Sequence, residues 1–329
     1  MAVQGIQVFA TLADFAASAS FVNAAGIGMV DGVLWTLTPD GLLYPVSLNG
    51  AQLGATWWVD SVNGSDSGNS GEAPAAAYQT ITELLASGQV SSNDRIMISG
   101  DLREESVLPP LGVYNVQIVG ATPTRPHHDQ ATRWREAASH VALEPLLFLR
   151  EQGWSIANIL FVPPSDAPAI RLKRFESATY PDPSHCSIIG NRFVGGLSAI
   201  EDDGGCHNQM IADNIFQSQT DSAYECISTS IAVPLQNFFL RNHFISCVHG
   251  IRASQSKSII KDNRFIDITT SKVLTNFNAA QGNLNMVELN FFPSTQANIS
   301  IAGGYGGSAT DIWRNFSTDT AAQTVGVPA

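Results

Sequence analysis

The 329-residue sequence is poor in charge. Only 14% of its positions are Asp, Glu, Lys or Arg, and 17 basic residues face 29 acidic ones, a formal net charge of −12. The shortage of Lys and Arg argues against a general nucleic-acid binder, which presents a basic face, and against a polybasic membrane-surface protein. No apolar run reaches the roughly 18 residues of a membrane-spanning helix. The first 25 residues contain no Lys or Arg and no clean apolar core, so no secretory leader is expected. Cys-x-x-Cys pairs, Gly-rich phosphate loops, Gly-x-Ser-x-Gly elbows and His-Glu-x-x-His motifs are all missing, so neither a metal nor an organic cofactor is expected. Cys186, Cys206, Cys226 and Cys247 are the only cysteines; in a chain this long and apolar they read as buried, reduced thiols. With 44% hydrophobic residues, 27 Gly and 16 Pro, the chain is expected to be soluble and folded, as one large or two ordinary domains.

What the sequence does contain is a repeat. Ile188-Ile189-Gly190-Asn191-Arg192-Phe193 returns as Ile211-Ala212-Asp213-Asn214-Ile215-Phe216 and as Phe239-Leu240-Arg241-Asn242-His243-Phe244. It returns again as Ile260-Lys261-Asp262-Asn263-Arg264-Phe265 and, more weakly, as Val287-Glu288-Leu289-Asn290-Phe291-Phe292. Earlier and later variants are Ile156-Ala157-Asn158-Ile159-Leu160-Phe161 and Asn315-Phe316. The spacing between repeats is uneven. Helical repeats keep a nearly fixed length, whereas a coil of short parallel strands absorbs insertions in outward loops. The segments also favour strand over helix. This predicts a coil in which Asn191, Asn214, Asn242, Asn263 and Asn290 occupy a left-handed corner and bond one another rung to rung. Phe193, Phe216, Phe244, Phe265 and Phe292 would stack inside it. Cys226 and Cys247 each precede a repeat Asn by 16 residues and are expected on adjacent rungs.

Residues 1–55 differ from the rest. Leu12 to Ala19 is alanine-rich and suits a helical turn or two. Val33–Leu37, Thr38-Pro39-Asp40-Gly41 and Leu42–Tyr44 form a hairpin pattern, with Pro presetting φ and Gly accepting positive φ. A small N-terminal β module is expected there. Trp57–Ser61 reads as a strand. The polar loop Asn63–Gly68 reads as a solvated turn, because it lacks the full ligand pattern of a calcium loop. Apolar residues at 78, 81, 84 and 85 predict a short amphipathic helix ending near Gly88, suited to plugging the open end of a solenoid. Arg95–Gly100 and Tyr114–Gly120 are read as the first two rungs, 56–317 as the coil and 318–329 as an extended arm.

The order Trp58-Val59-Asp60, Asn63-Gly64-Ser65-Asp66, the helix, Asp94–Ile98, Val116–Gly120 and then the Asn-x-Phe rungs resembles right-handed, single-stranded parallel β-helices of the pectate-lyase-like superfamily. A small β module ahead of such a coil resembles virion proteins of tailed bacteriophages: tailspikes, and proteins that decorate or cement capsids. The resemblance spans roughly residues 57–317. It implies an all-β fold and a virion location, with the chain itself (as a homotrimer) and a major capsid protein as partners.

The strongest catalytic candidates are Glu201, Asp202 and Asp203, with His249 and Arg252 two rungs on. Paired carboxylates near a His and an Arg resemble the polygalacturonase branch of the superfamily, where they act as general acid and base on a glycosidic bond. Here no Asn-Thr-Asp precedes the pair and His249-Gly250 is not followed by Arg-Ile-Lys. A polar loop joining two rungs is the simpler reading. His127-His128-Asp129 is likewise read as solvated loop. The expectation is therefore a non-enzymatic capsid-decorating protein that bridges shell subunits through its N-terminal module, with Trp35 and Tyr44 as interface candidates. The alternative is a tailspike that binds a host polysaccharide, with or without cleaving it.

Overall fold

The computed structural model of the chain describes residues 54–122, 132–173, 183–203, 206–226, 236–252, 258–268 and 286–291, and the backbone of strands at 7–9, 26–30, 33–37, 43–45, 274–275, 292, 311–313 and 316–317. The proposed helix at 12–19, the side chains of Trp35, Tyr44 and Phe292, the His127–Asp129 loop and the arm 318–329 lie outside the described residues.

The strands of residues 54–317 assemble into three sheets in which every pairing is parallel. The ten-stranded sheet runs in chain order from Thr56–Asp60 and Arg95–Ser99 to Met286–Glu288 and Asp311–Trp313; the nine-stranded sheet runs from Asp101–Arg103 to Phe316–Ser317. The six-stranded sheet comprises Leu147–Leu149, Ile170–Leu172, Ile200–Asp202, Ser222–Cys226, His249–Arg252 and Leu274–Thr275. From Gln117 to Thr275 the chain passes through the ten-, nine- and six-stranded sheets in turn, and each strand pairs with its counterpart one repeat later. This is a parallel β-helix. Its first strand is Thr56–Asp60, so the coil begins one turn before the Arg95 strand. The N-terminal region holds a separate four-stranded sheet, in which Val33–Leu37 and Leu43–Pro45 pair antiparallel as the Pro-Asp-Gly turn predicts.

The period-2 alternation of strands decides what goes inside. In the three-residue strands of the ten- and nine-stranded sheets the central residue is buried, which puts Ile156, Ile188, Ile211, Phe239, Ile260 and Val287 in one internal column. A second column is aromatic. Trp134, Phe161, Phe193, Phe216, Phe244 and Phe265 stack with ring centroids 5.7, 5.0, 5.1, 5.0 and 4.5 Å apart.

Between these columns lie the five repeat asparagines, all buried. Each of the first four donates from Nδ2 to Oδ1 of the next, at 3.3, 3.1, 3.0 and 3.0 Å, across sequence separations of 23, 28, 21 and 27 residues. The same Oδ1 accepts the backbone N–H of the preceding Asn, at 2.9–3.0 Å. Each Nδ2 also donates to a strand carbonyl one rung back, from Ile156 for Asn191 to Ile260 for Asn290. The ladder thus satisfies buried amides that would otherwise each cost about 1–3 kcal/mol.

Two details of the predicted corner change. The left-handed residue is the one before each Asn, namely Gly190, Asp213, Arg241, Asp262 and Leu289, with φ of 54–68°. The Asn itself follows the corner and turns its amide inward. Asn158 (φ 60°) is likewise the corner residue of its rung, and Ile159 stands in the ladder column, its N–H donating to Asn191 Oδ1 at 3.1 Å. The cysteines are free and buried, but Cys226 and Cys247 do not stack. Cys226 is in register with Asp202, whereas Cys247 follows the nine-stranded sheet and its thiol meets Gln219 Oε1 at 3.0 Å. Counting back from the Asn crosses loops of unequal length, so their common offset carries no register.

The helix is shorter than predicted, Ile81–Ala86, because Thr80 caps it: the Thr80 hydroxyl accepts the Glu83 N–H at 3.2 Å, and Gly88 (φ 71°) follows its end. Ile81, Leu84 and Leu85 are buried in the same core as the rungs. The polar loop before it is more than a solvated turn. Asp66 accepts the N–H groups of Gln79 and Thr80 and the Thr80 hydroxyl at 2.8–2.9 Å, and Glu104 accepts the N–H groups of Ile81 and Thr82 at 2.8 and 2.9 Å. Both carboxylates therefore hold the helix entry, where backbone donors have no partner within the helix. No helix among the described residues is long and apolar enough to cross a membrane.

Candidate functional site

The six-stranded sheet reverses the pattern of the other two: its outer strand positions are internal and its central ones face outward. Parallel register makes the outward residues a column of Phe148, Arg171, Glu201, Glu225 and Arg252. Arg171 hydrogen-bonds Glu201 and donates to the Leu143 carbonyl at 3.3 Å. Its guanidinium lies 5.9 Å from the Phe148 ring centroid, and Lys173 Nζ lies 5.2 Å from the same ring. At the other end Arg252 reaches Asp221 at 2.9 Å and Glu225 at 3.1 Å. Ser198 Oγ lies 3.3 Å from Glu225 Oε2.

Although they face outward, Glu201 and Glu225 are only 5% and 8% exposed. Loss of water raises the Glu201 carboxyl above the usual carboxylate range, against the pull of Arg171; Asp203 adds to the rise. Glu225 is also raised, by burial first and then by Asp221 and Glu201, against Arg252 and Ser198. Two neighbouring carboxyls thus hold protons more readily than in water, each beside an arginine.

The sequence candidates separate across this sheet. Residues 200–202 form a strand, not the polar loop of the simpler reading. Glu201 and Arg252 share the outer column. Asp202 points into the core, fully buried, accepting the Tyr224 hydroxyl at 3.0 Å and the Cys206 N–H at 3.2 Å. Its presence helps to lift the Tyr224 phenol well above its ordinary value, after burial itself. Asp203 is exposed just beyond the strand. His249 is half-buried at the start of its strand, in register with Ser222, and its N–H donates to the Asp221 carbonyl at 2.8 Å. Sequence reading missed Arg171, Asp221 and Glu225. Glu225 was the most accessible of these, since Tyr224-Glu225-Cys226 alternates apolar and charged as Ile251-Arg252 does.

A second polar cluster gathers where three successive strands of the nine-stranded sheet, Asp101–Arg103, Arg133–Arg135 and Leu160–Val162, release their loops. His140 Nδ1 lies 2.6 Å from Glu105 Oε1 and Nε2 lies 2.7 Å from Asp166 Oδ1. Glu105 also accepts the N–H groups of Ala137 and Val141, at 3.3 and 2.9 Å. Hydrogen bonding to Glu105 and then to Asp166 raises the His140 imidazole and lowers the Asp166 carboxyl. No motif in the sequence marks this cluster, because Glu105 lies 35 residues before His140 and Asp166 lies 26 after it.

Fold and surface together define the class: a parallel β-helix with a buried Asn ladder and a paired, partly desolvated charge column on one outer face. No protein family, curated protein or solved structure compared with the chain matches it.

Proposed function

We propose that the chain is a non-enzymatic structural protein, a β-helical rod that decorates a bacteriophage capsid as a homotrimer and stabilises it by bridging shell subunits. The observation that supports a non-catalytic role is the engagement of the candidate acids. Glu201 is bonded by Arg171, Glu225 by Arg252, and Asp202 is enclosed in the core by Tyr224 and the Cys206 N–H. A general acid or base needs an oxygen free to meet substrate, and each of these three carboxyls already has a partner inside the protein. The viral assignment rests on the resemblance in sequence and on the separate N-terminal sheet ahead of the coil. The test adds purified chain to bare phage heads. Binding should raise the melting temperature of the shell with protein concentration, as mass action requires, and a chain lacking residues 1–55 should not bind. Undiminished binding by the truncated chain would remove the N-terminal module from the role, and no binding by the intact chain would remove the role itself.

One observation favours a second reading, a glycan-cleaving spike: Glu201 and Glu225 sit on adjacent rungs, both with raised carboxyls, beside arginines. A reducing-sugar assay on host polysaccharides distinguishes the two. Activity abolished by both Glu201→Gln and Glu225→Gln would replace the structural reading with the enzymatic one.

A further inference from the structure

We propose that Glu105, Glu136 and His140 form a zinc site on the outer edge of the coil, with Asp166 as the residue that orients the imidazole. The site is independent of the capsid role. Its starting point is an imbalance at His140. A neutral imidazole has one N–H and one lone pair, yet both ring nitrogens of His140 face carboxylate oxygens, at 2.6 and 2.7 Å. One of those contacts therefore needs a positive charge between nitrogen and oxygen: a second proton at these separations, or a metal ion that takes the proton's place once the two atoms move apart.

The two sides of the ring differ. Nε2 meets the Asp166 carboxylate, which suits an N–H donor. A carboxylate on the far nitrogen of a metal-bound imidazole fixes tautomer and ring orientation. Nδ1 meets Glu105, and the imidazole, the Glu105 carboxylate and the Glu136 carboxylate offer ligand atoms all within 4.8 Å of one another. Zinc takes N and O ligands at about 2.0–2.2 Å in a tetrahedron, so small side-chain rotations close this set around one ion, with water in the fourth position. Glu136 makes no other hydrogen bond or ion pair among the described residues. No Lys or Arg among them pairs with Glu105, Glu136 or Asp166, and Arg135 next door is taken by Asp101. Three carboxylates around one imidazole leave a negative surplus that a divalent cation offsets. Glu105 is already fixed in place, since its side chain is 4% exposed and two backbone N–H groups hold it. A mixed nitrogen and oxygen set favours zinc over calcium or magnesium, which prefer oxygen alone. A bound ion would tie the loops of three successive rungs together.

Isothermal titration of the full chain with Zn²⁺, supported by the visible spectrum of the Co²⁺ form, tests this. One ion per chain is expected, with a tetrahedral Co²⁺ spectrum and no competition from Ca²⁺ or Mg²⁺. His140→Ala should abolish binding; Glu136→Gln, at an exposed position that does not threaten folding, should weaken it at least about 10-fold, and Asp166→Asn by about 10–100-fold. Circular dichroism verifies that each variant is folded. Absence of binding at micromolar Zn²⁺, or binding that His140→Ala and Glu136→Gln leave unchanged, would overturn the proposal.

Discussion

The residue that does most for this fold is an asparagine whose amide is fully used. Asn242 shows the arithmetic of the ladder. Its Oδ1 accepts the Asn214 backbone N–H and the Asn214 Nδ2, while its own Nδ2 donates to Asn263 Oδ1 and the Ile211 carbonyl. Replacing it by Ala strands two donors on one side and removes a donor on the other, all in a site without water. Each orphaned group costs about 1–3 kcal/mol, so Asn242→Ala should lose about 3–5 kcal/mol in urea unfolding. Asn191 stands at the upper end, where its Oδ1 serves the Ile159 N–H and no amide side chain. Asn191→Ala should therefore cost clearly less than Asn242→Ala. Equal losses would mean that the amides act as separate caps rather than as a ladder. The sequence made the asparagines visible because the same residue recurs in the same frame. It did not reveal which residue takes positive φ, because that place is filled by Gly, Asp, Arg and Leu in turn. The corner is imposed by the stack around it, and the intrinsic preference of Asn for left-handed backbone misled by one position.

At the scale of the element, each strand is too short to stand alone; three residues gain stability only by pairing with strands above and below. The aromatic column is what that stacking buries. Phe216 lies between Phe193 and Phe244, with centroids 5.1 and 5.0 Å away and no exposed surface. Phe216→Ala opens a cavity that fixed neighbours on two rungs cannot collapse into, and should cost about 3–5 kcal/mol; Phe216→Leu should cost roughly half as much. Chemical denaturation of both variants checks this, and similar values for the two would indicate a column loose enough to refill. The nine- and ten-stranded sheets were legible for the same reason the asparagines were: the Asn-x-Phe frame fixes phase on both sides of the corner. The six-stranded sheet was not. Its outward column reads Phe, Arg, Glu, Glu, Arg, with no one residue type kept along its length, and loops of varying length separate it from the frame. Glu201 and Arg252 were found within one candidate group with Asp202, Asp203 and His249, and only the register shows that Arg171 and Glu225 belong with them.

For the molecule as a whole, a chain so poor in charge spends some of it where charge is costly. Glu104, Glu201 and Glu225 are all raised above the usual carboxylate range, each by burial before anything else. A carboxyl raised on folding holds a proton that the unfolded chain has already released. The stability it contributes is complete below the ordinary carboxylate value, and it is lost as pH rises through the raised one. The window therefore opens near pH 4.5, the usual Glu range, and runs upward toward neutrality. Glu225→Gln isolates one member of the set. Glutamine keeps an acceptor for Ser198, and Arg252 keeps Asp221 at 2.9 Å, but no proton is left to lose. Urea unfolding from about pH 4.5 to about pH 7 should then show the stability of the variant relative to the native chain improving as pH rises. Parallel curves would show that Arg252 offsets the burial of Glu225 completely. Glu225 would then add nothing to the pH response of the rod, and the remaining dependence would belong to Glu104 and Glu201.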